Sequence, residues 1–242
     1  MSAFPSTRHS VLREVRSADP ETKRRGFEAL AAAYWKPVYK YLRFRGRTTA
    51  EDAEDLTQGF FARAFEKGFF DSYDPARGRF RTFLRVCLDG FVANDKAAAR
   101  SQKRGGGAPV LSLDFSTAEG ELLEHPPAEG TDPEEFFRRE WVRGVFAEAV
   151  AGLRARAREE GKDMALRLFE RYDLDGPDAA EKLTYGALAE EAGIPVTQVT
   201  NHLAWARREF RRAALLVLEA HCGSEEEYRA EARDLFGHDA PA

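Results

Sequence analysis

Cysteine is scarce in this chain: Cys87 and Cys222 are the only two in 242 residues, and they stand far apart. Both fall in stretches with helical patterning. A disulfide framework is excluded, and a reducing cytoplasm is the expected setting. No apolar run approaches the length that crosses a bilayer, so no membrane span is expected. Met1-Ser2-Ala3-Phe4-Pro5 has no basic start followed by an apolar core, so no secretory signal is expected either. A phosphate-cradling glycine loop is also missing. Gly105-Gly106-Gly107 lacks a following Lys-Ser/Thr and reads as a helix stop. The histidines, His9, His125, His202, His221 and His238, show no ligand spacing with each other or with the cysteines. The expectation is therefore no metal, no cofactor, no catalytic residue and no enzyme.

Charge is what the chain has in quantity. Asp, Glu, Lys and Arg make up 32% of it, and a net charge of −4 hides strong segregation. Arg77 to Arg104 carries Arg77, Arg79, Arg81, Arg85, Lys96, Arg100, Lys103 and Arg104 against Asp89 and Asp95, a net +6. Glu119 to Glu135 carries seven acids and no Lys or Arg. Such separation offers different faces to different partners. The 43% of hydrophobic residues suffices for the cores of two or three helical units.

Helix-start signals recur along the chain. Ser6 or Thr7 caps a short helix from about Arg8 to Arg16. Asp19-Pro20-Glu21 starts another that reaches about Ala33, and a further helix runs from Trp35 to Phe44. Thr49 caps an acidic helix in which Ala53, Leu56, Phe60 and Ala64 share the core side. Glu51, Glu54, Asp55 and Gln58 fall on the other side, and Lys67-Gly68 ends the helix. Asp74-Pro75-Ala76-Arg77-Gly78 reads as a turn. A basic helix follows from Arg79 or Phe80 to about Arg104, with Phe80, Phe83, Leu84, Cys87, Leu88 and Phe91 as its apolar positions.

Residues 105–131 combine Gly, Pro, Ser and acids, so irregular, mobile structure is expected there. Asp132-Pro133-Glu134-Glu135 then starts a helix reaching Glu160. Another runs from about Asp163 to Tyr172. Thr184 caps a short helix that Gly193 ends, and Pro195 introduces a long one. Ala189, Gly193 and Val199 give the spacing of a helix-turn-helix. Val199, Leu203, Ala206 and Phe210 form a buried stripe. Thr197, Gln198, Thr200 and Asn201 face away from it with side chains that can read base edges, and Arg207, Arg208, Arg211 and Arg212 can reach phosphates. Ser224-Glu225-Glu226-Glu227 is a capping box for a last helix ending near Phe236-Gly237.

The fold class expected is all-α: two helical domains joined by a flexible acidic linker, the second containing the helix-turn-helix. Its borders are 1–104, a linker at 105–131, 132–222, and a C-terminal extension at 223–242. The acids of that extension offer a cover for the arginines of the DNA-reading helix.

Together these stretches resemble the bacterial RNA polymerase sigma factors of the extracytoplasmic-function type. Asp52-Ala53-Glu54-Asp55-Leu56-Thr57-Gln58 is similar to the family's Ala-Glu-Asp-Leu-x-Gln signature. The resemblance implies that Asp52, Asp55 and Gln58 bind the coiled coil of the polymerase's largest subunit. Tyr73 to Leu84 resembles the family's segment leading into the helix that melts the −10 element. This implies promoter contacts for Arg79, Phe83, Arg85, Lys96 and Arg100. Leu183 to Ala189, with Ala204 to Arg208, resembles the helix-turn-helix that binds the −35 element. This implies DNA contacts for Thr197, Gln198, Thr200, Asn201, Arg207, Arg208 and Arg211.

Two departures stand out. Phe83 replaces the usual Trp and keeps a ring. Asp89-Gly90 replaces a frequent Arg-Asn, and Asp89 is expected to repel phosphate. The partners implied are core RNA polymerase, promoter DNA and an anti-sigma factor or other regulator. The linker's acids suggest a place in the polymerase's positively charged nucleic-acid channel. Two other readings stay open: a sigma-like protein that binds polymerase without opening promoters, and a helix-turn-helix regulator independent of polymerase.

Overall fold

The computed structural model describes residues 10–46, 48–98, 113–175 and 183–237. Every regular element among them is helical. Helices α1 (Ser10–Val15) and α2 (Pro20–Gly46) come first. Asp19 caps α2 by accepting a hydrogen bond from the Thr22 N–H at 2.8 Å. The two helices expected between Asp19 and Phe44 are one, because Pro37 does not break α2. An interior proline costs about 3 kcal/mol in a helix. Here Tyr34, Val38, Tyr39, Tyr41 and Leu42 are buried around it. Burial contributes about 1.5–3 kcal/mol for each large apolar side chain, which outweighs that cost.

Helix α3 (Ala50–Lys67) begins and ends where its caps dictate. Thr49 Oγ1 accepts from the Asp52 N–H at 3.1 Å, and Gly68 closes the helix in the left-handed region at φ 61°, where glycine carries no steric penalty. Single 3-10 turns at Phe69–Ser72 and Pro75–Arg77 lead to α4 (Phe80–Ala98). Phe80, Leu84, Leu88 and Phe91 of α4 are buried at spacings of three and four. An aromatic cluster binds these helices together. Phe27 stacks on Phe70 with centroids 5.8 Å apart. Phe80 meets Tyr34 at 5.5 Å and Tyr73 at 5.1 Å, both edge-on.

The expectation of an irregular linker is corrected at residues 115–124 and holds at 125–131. Residues Phe115–Glu124 form helix α5, which packs on α2. Asp114 caps it through the Thr117 N–H at 3.1 Å. Hydrogen bonds from Thr117 and Ser116 hold the Asp114 carboxyl down at about 2. Phe115 fits between Trp35 and Tyr39, at 5.4 and 5.2 Å. Its acids have partners on α2. Glu119 accepts from Arg43 Nη2 at 2.5 Å and from the Tyr39 hydroxyl at 2.7 Å. Glu121 accepts from Lys36 at 2.7 Å and Lys40 at 2.8 Å. Lys40 is almost fully buried and also pairs with Glu140 at 2.9 Å. Glu119 and Glu121 are therefore engaged within the chain. Gly/Pro content marks the approaches to this segment, but the cations of α2 decide its structure.

Helix α6 (Pro133–Glu160) starts at the Asp132 cap, whose carboxylate accepts from the Glu135 N–H at 2.9 Å. Helix α7 (Asp163–Phe169) continues into a π-helical turn at Glu170–Leu174. Then come α8 (Tyr185–Ala192), α9 (Val196–His221) and α10 (Glu225–Phe236).

The chain divides into two units, Met1–Gly144 with Leu218–Ala242, and Val145–Val217. The division falls inside α6 and α9. The C-terminal extension is thus part of the first unit.

Candidate functional site

The acidic face of α3 forms as its spacing requires. Asp52, Asp55 and Gln58 are exposed on one side, while Ala53, Thr57, Phe60 and Phe61 are buried on the other. Asp52 and Asp55 border a groove of about 810 Å³ shared with α2 and α4, whose walls include Leu42, Arg45, Leu56 and Asp89. Its lining mixes apolar and charged side chains.

Helix α4 presents a different picture from the free basic face expected. Arg79 pairs with Asp234 at 2.7 Å and Glu231 at 3.2 Å. Arg81 is buried, pairs with Glu231 at 2.7 Å and stacks over the Trp141 ring at 5.7 Å. Arg85 pairs with Asp89 at 2.8 Å and Glu134 at 3.4 Å. Asp89 is not a lone repelling charge, since it also accepts from the Tyr41 hydroxyl at 2.8 Å. Phe83 is half-buried against Tyr73, with centroids 5.3 Å apart. The Lys96 side chain and Arg100 lie outside the described residues.

The C-terminal helix supplies most of this cover. Glu227 Oε1 accepts from the Phe80 N–H at 2.6 Å. Its Oε2 accepts from the Tyr73 hydroxyl at 2.9 Å and the Gly223 N–H at 2.6 Å. Burial pushes the Glu227 carboxyl up, against the pull of those three donors. Glu227 and Glu231 therefore lie on the start of α4.

In the second unit, Thr184 Oγ1 caps α8 by accepting from the Ala187 N–H at 3.2 Å, and Gly193 turns the chain at φ 65°. Leu188, Ala189, Val199, Leu203 and Ala206 share one core with Leu168 and Phe169. Thr197, Gln198, Thr200 and Asn201 are exposed in the first turns of α9. Arg207 is held by Asp173, at 2.8 Å, and by the Tyr185 hydroxyl, at 2.9 Å, which raises its pKa. Arg208 is well exposed beside Glu209, at 3.6 Å, and Arg211 is half-buried.

The chain matches no family model, no curated protein and no solved structure.

Sequence reasoning missed the cluster of Tyr73, Arg81, Glu227 and Glu231. The capping box around Glu227 was legible, and Ser224 Oγ does accept from the Glu227 N–H at 3.1 Å. Nothing local indicates that the Glu227 carboxylate also reaches the first turn of a helix 147 positions earlier.

Proposed function

We propose that this protein is a sigma factor: it binds core RNA polymerase through α3 and directs it to promoters. The observation that carries the reading is the α3 face. A sequence similar to the family's polymerase-binding signature sits on a well-capped helix, with Asp52, Asp55 and Gln58 all exposed. Exposed carboxylates beside a groove with apolar walls suit a basic, partly apolar helical partner. In the second unit, Thr197, Gln198, Thr200 and Asn201 offer donors and acceptors for base edges, and Arg208 is available to phosphate. This is the arrangement expected of a −35 reader whose long second helix enters the major groove.

A second reading has its own support. Arg79, Arg81 and Arg85 already hold carboxylate partners. That favours a sigma-like protein that binds polymerase and does not open promoters by itself. One experiment separates the two. The purified protein is mixed with core polymerase, tested for co-elution, then supplied with a library of promoter fragments. Co-elution with promoter-specific transcripts supports the sigma factor. Co-elution without transcripts from any fragment supports the second reading. Absence of co-elution removes both.

A further inference from the structure

The buried stripe of α10 is unusual in composition. It consists of Glu227, Glu231 and Ala232. A helix docked on a core ordinarily buries leucine, isoleucine or phenylalanine, and α10 buries two carboxylates for one methyl group. Their partners form a coherent set: the Phe80 N–H in the first turn of α4, the Tyr73 hydroxyl, and the guanidinium groups of Arg79 and Arg81. A helix N-terminus flanked by two arginines and a phenol is an anion-binding arrangement. Three carboxylates, from Glu227, Glu231 and Asp234, fill it. One of their oxygens, Glu231 Oε2, is buried and has no hydrogen-bond partner.

We propose that α10 occupies in cis a surface made for nucleic-acid phosphate, and that α10 must leave for Arg79, Arg81 and the start of α4 to hold a DNA strand. The inference rests on the sigma reading only for the statement that this DNA is a promoter. The physical basis is the polarity of the contact. An interface held by ion pairs is weakened by salt and by competing polyanions, and DNA supplies a dense row of charges. Twelve residues form α10, too few to persist as a helix away from a surface. Gly223 fixes the approach of α10 to this site, because a Cβ there would strike the Tyr73 ring.

The test uses full-length protein and a short fluorescein-labelled DNA single strand, with anisotropy measured across a series of salt concentrations. Glu231→Gln with Asp234→Asn is expected to bind about tenfold more tightly at low salt. Its plot of log K against log salt should be steeper by about 1.4, roughly 0.7 for each arginine freed on a single strand. Adding Arg79→Ala and Arg81→Ala should abolish the gain. Unchanged affinity and slope, or a gain that survives loss of the arginines, overturns the proposal.

Hydrogen exchange on the wild-type protein provides a second arm that needs no variant to fold. Saturating DNA should speed exchange in residues 225–236, whereas equal or greater protection of α10 in the complex contradicts displacement. Polymerase co-elution is scored separately. A DNA gain without co-elution leaves this proposal standing and removes the sigma reading. Co-elution without a DNA gain does the reverse.

Discussion

Glu227 joins three donors from separate parts of the first unit: the Phe80 and Gly223 N–H groups and the Tyr73 hydroxyl. Replacing it with alanine strands all of them in a buried site. Urea titration of Glu227→Ala should show a loss of roughly 2–4 kcal/mol, and an unaltered midpoint would mean that water replaces the carboxylate at no cost. His221 gives a pH signature. It is buried against Tyr34, with ring centroids 5.7 Å apart, and burial pushes its pKa from 6.5 down to about 4. Between those values the unfolded chain takes up a proton that the folded chain refuses. The contribution is therefore complete above pH 6.5 and falls as the pH drops toward 4, by about 3 kcal/mol in all. His221→Leu should flatten that part of the stability–pH curve, and an unchanged slope would place the titration elsewhere. Residues of this kind were not legible in the sequence. A cap is a local pattern read over four residues, as at Thr49, Thr184 and Ser224, whereas the partners of Glu227 and the burial of His221 arise only in three dimensions.

Helices were the most legible level. Apolar spacing and caps located α3, α6, α8 and α10 closely, because both signals act within a turn or two. The two elements read differently show what overrides those signals. Pro37 continues α2 because a buried run of tyrosines surrounds it. Residues 115–124 are helical because Phe115, Ala118 and Leu122 dock on α2 while Glu119 and Glu121 meet Arg43, Lys36 and Lys40. The pairing also fixes how α5 responds to acid. The hydrogen bond from Arg43 lowers the Glu119 pKa below 4.5. Burial works against the charge of Glu121, but Lys36 and Lys40 still lower its pKa. Both contributions are present above the ordinary glutamate range and are lost as pH falls below it. Hydrogen exchange should therefore show α5 opening before the aromatic cluster of α2 and α4 on acidification. Simultaneous opening would mean that α5 is held by its apolar stripe alone. In the second unit, Leu203→Ala leaves a cavity in a core that is fully closed around it. It should cost about 2–5 kcal/mol by thermal or urea unfolding. A loss under 1 kcal/mol would show that the core relaxes around the gap.

At the scale of the whole chain, segregated charge was legible and its destination was not. The sequence pattern suggested a basic helix facing DNA, an acidic linker and an acidic tail. Within the first unit, part of each is paired with opposite charges: Glu119 and Glu121 of α5 with α2, and Glu231 and Asp234 of α10 with Arg79 and Arg81. A composition count cannot reveal such pairings, since it carries no information about which runs meet. Asp52, Asp55 and Gln58 remain exposed on a rigid, well-capped helix, and the proposed function depends on them. Its most direct test is the affinity of core RNA polymerase for the wild-type protein and for Asp55→Arg with Gln58→Ala, measured by anisotropy of a fluorescent label. Tight binding by the wild type, weakened at least about a hundredfold in the variant, is the expected result for a charge reversal at a desolvated contact. Equal affinity in the two, or no binding by either, would contradict the assignment of α3 as the polymerase-docking surface.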